Sequence, residues 1–195
     1  MTVKQKILKQ VYPLFMLWKK TRGKQKLIQN NMNEKPKLPF HSLAATLNNG
    51  AILSFEKLKG RKVLIVNTAS LCGYTAQYEE LQKLYQHSRE DLEIIAFPSN
   101  DFKNQEQGSD EEIAAFCINT YSIRFPLIKK TVVVKGEGQH PVYAWLSHKE
   151  LNGWNDKAPS WNFSKYLINE EGVLTHYFDP AVSPLSEEMI RAVND

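Results

Sequence analysis

Two short apolar runs organise the chain. Lys62-Val-Leu-Ile-Val-Asn67 and Leu92-Glu-Ile-Ile-Ala-Phe97 are of strand length and hardly alternate, so they predict central strands covered on both faces. Between them, Tyr78–His87 carries Leu81, Leu84 and Tyr85 at helical spacing. A strand, a crossover helix and a second strand predict two parallel, adjacent strands. Upstream, His41–Leu47 and Ala51–Phe55 flank Asn48-Asn49-Gly50, a hairpin turn whose residues tolerate positive φ. Downstream, Ser109–Asn119 predicts a second helix, with Ser109 and Glu112 at the spacing of a capping box. Thr131–Val134 predicts a short extended segment and His140–His148 a short helix. Phe163–Ile168 and Val173–Phe178 predict a hairpin around Asn169-Glu170-Glu171-Gly172, and Leu185–Val193 a closing amphipathic helix.

A β-α-β half followed by a β-β-α half is the plan of a thioredoxin-like α/β domain: a central mixed sheet flanked by helices, here preceded by a hairpin. The expected boundaries are 38–195 for this domain and 1–37 for a basic arm and linker. In the arm, Val3, Ile7, Val11, Leu14 and Trp18 share one helical face, Pro13 is expected to interrupt the helix, and residues 21–37 read as a linker. The apolar run Val11–Trp18 is too short to span a bilayer and lacks the flanks of a cleavable signal. Two readings stay open for it: a solvated or loosely docked arm, and a basic interfacial helix that places residues 1–20 against anionic lipid.

Charge sharpens this division. Formal net charge is +4, but residues 1–37 hold ten of the 25 Lys and Arg against the single acid Glu34, a local charge of +9. The rest keeps 15 basic and 20 acidic residues, or −5. The basic balance therefore belongs to the arm, and the domain gives no case for nucleic-acid binding.

Chemistry narrows to two cysteines, Cys72 and Cys117. Two are too few for a disulfide scaffold, and the five His and two Cys show no metal-ligand spacing. They are either inert core thiols or a working pair. Cys72 falls where the first parallel strand gives way to the crossover helix, the end of the sheet where ligands collect in α/β folds. A thiolate there meets unpaired N–H groups and the positive end of a helix dipole. Lowering a thiol pKa by two units raises the thiolate fraction roughly 20- to 30-fold, about 2 kcal/mol. Part of that gain is lost because nucleophilicity falls with basicity. Fast chemistry needs further donors.

Three stretches supply candidates. Val66-Asn-Thr-Ala-Ser-Leu-Cys72-Gly-Tyr-Thr resembles the signature around the peroxidatic residue of the glutathione peroxidase family. Phe97-Pro-Ser-Asn-Asp-Phe-Lys-Asn-Gln105-Glu resembles its second signature, and Trp161-Asn162-Phe-Ser-Lys-Tyr-Leu its third. With Phe125-Pro126 and His140-Pro141, the resemblance spans about residues 40–193. It implies an oxidoreductase that reduces hydrogen peroxide and organic hydroperoxides without a cofactor or metal. Cys72 would be the nucleophile, and the neutral donors of Gln105, Trp161 and Asn162 would stabilise thiolate and departing oxygen. It also implies Cys117 as a resolving cysteine, against the alternative of a buried helix thiol, with thioredoxin or glutathione as reductant. The short connection from Lys149 to Trp161 lacks the long insertion of tetrameric members, which implies a monomer with an open active face. Thiol chemistry points to a cytoplasmic site, membrane-peripheral if the arm binds lipid. Ser99 and Asp101 depart from the family, where cysteine and glutamine are common.

The rival readings share the fold. Cys72-Gly-Tyr-Thr75 lacks the second cysteine of a disulfide reductase. A non-catalytic redox sensor or binding module would leave Gln105, Trp161 and Asn162 without a task.

Overall fold

The computed structural model describes residues 2–22 and 27–195, with the side chains of Lys4 and residues 15–22 outside that description. The two apolar runs become β4 (Lys62–Thr68) and β5 (Leu92–Pro98), paired in parallel and buried along their whole length. Their side chains alternate faithfully. Leu64, Val66, Ile94 and Ala96 enter one core, while Val63, Ile65, Ile95 and Phe97 enter the other. Each apolar run thus feeds two cores at once, which is why neither run alternates with polar residues.

The five-stranded sheet has the order β1-β7-β6-β4-β5. Strands β6 (Lys165–Ile168) and β7 (Leu174–Phe178) form the expected hairpin, and β6 runs antiparallel to β4. Its turn needs Gly172 at φ 80°, where a Cβ would also meet the His41 ring at 2.9 Å. One face carries α2 (Gln77–His87), α3 (Asp110–Tyr121) and α6 (Glu187–Asn194). The other carries α4 (Pro141–Ser147) and the hairpin β2 (Ala44–Thr46) and β3 (Ile52–Ser54), with α5 (Lys149–Asn152) following α4. Two buried side chains tie the start of α2 to the sheet. Gln77 Nε2 and Lys165 Nζ both donate to the Pro180 carbonyl, at 2.6 and 3.3 Å, and Lys165 also reaches Val182 O. A buried ammonium is tolerable only with such partners.

The N-terminal segment differs from expectation in two respects. Helix α1 (Val3–Arg22) continues through Pro13, and strand β1 (Leu27–Gln29), inside the segment read as a linker, pairs antiparallel with β7. The helix also touches the domain. Tyr12 is buried, Gln5 Nε2 donates to Ser70 O at 3.4 Å, and Lys9 pairs with Glu79 at 3.5 Å and lies over the Tyr121 ring. Its outer stripe, Val3, Ile7, Val11 and Leu14, faces solvent; Trp18 falls among the side chains outside the description. Among the described residues no helix is long and apolar enough to cross a membrane.

The capping box of α3 is complete: Ser109 Oγ accepts from Glu112 N–H, and Glu112 Oε2 accepts from Ser109 N–H at 2.8 Å. Ser109→Ala should therefore cost about 1 kcal/mol, read as a lower urea midpoint with an unchanged slope. An unaltered midpoint would show that the helix start is held by its packing alone.

Candidate active site

Cys72 lies in a tight turn between β4 and α2, not on the helix itself, since α2 begins only at Gln77. The turn is built by Thr75: Cys72 N–H donates to its Oγ1 at 3.0 Å, and that hydroxyl lies 2.8 Å from the Ala69 and Cys72 carbonyls. Leu71 N–H donates to Gln105 O at 3.0 Å, which fixes the turn against the loop after β5. Consequently the Cys72 side chain points inward and is fully buried.

The sulfur is surrounded by neutral donors. Tyr74 N–H donates to Cys72 Sγ at 3.4 Å, and the Trp161 indole, the Asn162 amide and Gly73 N–H face the same atom. Burial nevertheless pushes the Cys72 thiol above its ordinary value, while these donors pull it back down. Desolvation thus outweighs the donors, and the helix expected to turn its positive end on Cys72 begins only at Gln77.

Trp161 and Asn162 are delivered by the loop before β6, which is clamped by Asn67 at the end of β4. Asn67 Nδ2 donates to Trp161 O and Asn67 Oδ1 accepts from Ser164 N–H, both at 3.1 Å. Phe163 N–H donates to Asn67 O at 2.6 Å, with Phe163 at φ 66°. Gln105 joins at one remove: Asn162 Nδ2 donates to Gln105 Oε1 at 3.0 Å. The Gln105 oxygen thereby holds Asn162 in place. Lys103 Nζ lies 5.9 Å from the Trp161 ring centre, and Phe102 packs against the same ring.

Cys117 lies on α3, fully buried, and both cysteines are free thiols. Burial pushes the Cys117 thiol up to about 12, opposed by the Tyr78 hydroxyl and reinforced by the charge of Glu106. Glu106 was not singled out in the sequence. It is buried, its Oε2 accepts from Ser70 Oγ at 3.1 Å, and desolvation raises its carboxyl to about 7. Its position directly after Gln105, in a loop otherwise polar and open, gave no sign of this burial. The departures Ser99 and Asp101 are structural. Asp101 accepts from the N–H groups of Val133 and Val134, at 2.7 and 3.1 Å, and Ser99 Oγ accepts from Asp101 N–H. Among the described residues, no group of three or more His, Cys, Asp or Glu could hold a metal ion.

Comparison with known proteins identifies relatives of the chain. The family model described as glutathione peroxidase matches residues 40–147. The chain is 39% identical over 160 residues to glutathione peroxidase-like peroxiredoxin HYR1 of Saccharomyces cerevisiae, covering 79% of this chain and 98% of that one. It is 40% identical over 151 residues to a glutathione peroxidase of Lactococcus lactis, covering 77% and 94%. Among solved structures it is similar to Trypanosoma cruzi GPX1, with a TM-score of 0.59 and 29% identity over 79% of this chain and 92% of that one. A thioredoxin-family thiol:disulfide interchange protein of Chlorobium tepidum shares the fold at 15% identity, with a TM-score of 0.57 over 83% and 94%.

Removing one donor should disfavour the thiolate. In a Cys117→Ser background, Asn162→Ala is expected to shift the pH profile of Cys72 alkylation by iodoacetamide further upward. A profile that stays in place or moves down would show that the amide does not act on the sulfur.

Proposed function

The chain belongs to the glutathione peroxidase family and is a thiol peroxidase, and from that premise we propose that Cys72 is its nucleophile and Cys117 its resolving thiol. The observation that carries the first assignment is the convergence of Tyr74 N–H, Trp161, Asn162 and Gly73 N–H on one buried sulfur. Cys72, having given its proton to solvent, attacks one peroxide oxygen as thiolate, and the O–O bond breaks. The distal oxygen leaves as hydroxide or alkoxide, which takes a proton from solvent to become water or alcohol. The sulfur becomes a sulfenic acid. Donors preset around sulfur also face the oxygen on which charge develops, at no cost of reorganisation; losing one such donor typically lowers the rate by about 10²- to 10³-fold. Gln105 serves this arrangement by orienting Asn162.

The Cys117 thiol then displaces hydroxide from the Cys72 sulfur, giving a disulfide and water, and an external dithiol or glutathione restores both thiols. This demands movement, because Cys117 is buried under Tyr78. The end of α3 is suited to it. The helix closes on Ser122 at φ 54°, a left-handed position that favours glycine. Ile123 N–H reaches back to Cys117 O only at 3.4 Å. A reducing cytoplasm supplies the dithiol such a cycle requires, and a monomer leaves the Trp161 face open to it.

The arm adds a peripheral membrane contact. Val3, Ile7, Val11 and Leu14 form an exposed apolar stripe on a strongly basic helix, the pattern of an interfacial anchor on anionic lipid.

Two experiments test these assignments. Peroxide consumption with thioredoxin, thioredoxin reductase and NADPH should be abolished by Cys72→Ser and fall at least about tenfold in Cys117→Ser. Equal turnover by Cys117→Ser would remove the resolving role, and oxidation that stops after one equivalent in the wild type would make the protein a sensor. For the arm, the full-length protein should pellet with phosphatidylserine vesicles at low salt and be partly released at high salt. No pelleting at low salt ends the lipid assignment.

A further inference from the structure

Between the turn carrying Cys72 and the helix carrying Cys117 lies a cavity of about 270 Å³. Ser70 and Leu71, the two residues before Cys72, form one wall; Ile113 and Phe116, on the helix leading to Cys117, form another. Glu106 also lines it, buried to 1% exposure and bonded to Ser70 Oγ, and Gln5 of α1 with Thr2 just before that helix lines its remaining side. Tyr78, fully buried, lies beside Thr68 and the Cys117 sulfur, and both Tyr78 and Cys117 feel the Glu106 charge. The peroxide step as described above has no use for this carboxyl. The resolving step does, because a thiol held as strongly protonated as Cys117 must lose its proton before it can attack.

We propose that Glu106 accepts the Cys117 thiol proton as that side chain crosses the cavity and returns it to the hydroxide expelled from Cys72. The step balances within the protein. The Cys117 Sγ–H bond breaks and its proton passes to a Glu106 carboxylate oxygen. Cys117 sulfur bonds to Cys72 sulfur, the S–O bond of the sulfenic acid breaks, and the leaving hydroxide takes the proton from Glu106 to depart as water. One carboxyl serves as base and then as acid, which requires a proton affinity near neutrality. Burial raises Glu106 to about 7, where both forms are present.

Charged and titratable groups lie around Glu106 on several elements, the Cys72 thiol on the neighbouring turn among them. Lys130 acts on it from the following loop and Glu112 lines the cavity from α3. Tyr78 is raised well above its ordinary value and stays neutral. The basic form of Glu106 is the active one, so resolution should quicken as pH rises through about 7 and then level off. The proposal rests on Cys117 as the resolving thiol, and the test separates the two.

The full-length protein would be mixed rapidly with one equivalent of hydrogen peroxide. Tryptophan fluorescence would follow oxidation of Cys72, and acid quench with mass spectrometry would follow the disulfide. Glu106→Gln preserves shape and removes a buried ionisable group, so it should fold; a thermal melt checks this. We expect unchanged sulfenic acid formation, disulfide formation slowed about 100-fold with no rise near neutral pH, and partial recovery in Glu106→Asp. Wild-type disulfide formation by Glu106→Gln at every pH would overturn the proposal. Equal slowing of both steps would also overturn it, assigning Glu106 a structural role. A wild-type protein that forms no Cys72–Cys117 disulfide removes the resolving reading, and the proposal with it, before any variant is compared.

Discussion

The structure depends on the way Asn67 joins the end of β4 to the loop before β6. A buried asparagine must satisfy both ends of its amide, and here both ends and its backbone carbonyl are spent on residues 161–164. That demand holds Phe163 in a left-handed conformation and so aims Trp161 and Asn162 at the sulfur on the neighbouring turn. Cys72 is fixed separately, by Thr75 beneath it and by Gln105 O on Leu71. The two halves of the site thus come from segments about 90 residues apart, brought into register by the antiparallel β4–β6 pairing.

Burial and reactivity pull in opposite directions at Cys72. Desolvation lifts the thiol, and the groups that pull it back are neutral donors. They lower the thiol less than a cation would, but they are equally effective toward the oxygen on which charge accumulates when the O–O bond breaks. A site built this way gains more in the transition state than in the resting thiolate. It also keeps the basicity, and hence the nucleophilicity, that a strongly acidic thiol would forfeit.

What could be read in the sequence follows the range of the interactions. Strands β4 and β5, the α3 capping box and the final hairpin are set by neighbours within a few residues, and their patterns were legible. So were the three stretches around Cys72, Gln105 and Trp161. The docking of α1 on Ser70 and Glu79 was not, because an amphipathic helix looks the same whether its polar or its apolar side meets the domain. Strand β1 is three residues long and exposed, and acquires its identity only from β7. Glu106 gave no signal for the same reason: a carboxyl in a polar loop is solvated by default, and only the fold reveals that this one is enclosed.

The two thiols are both buried, yet their surroundings are unequal, and this inequality orders the chemistry. Cys72 has its donors in place at rest, so its reaction needs no rearrangement of the protein. Cys117 is held as the neutral thiol by burial and by the Glu106 charge, which outweigh the opposing pull of the Tyr78 hydroxyl. Its helix, firmly capped at Ser109, closes on a serine in a conformation better suited to glycine. A firm start and a strained end confine any loosening to the last turns, where Cys117 sits. Under the roles proposed for the two cysteines, peroxide is consumed by a rigid site, and the larger motion is deferred to the step in which the second thiol has to arrive.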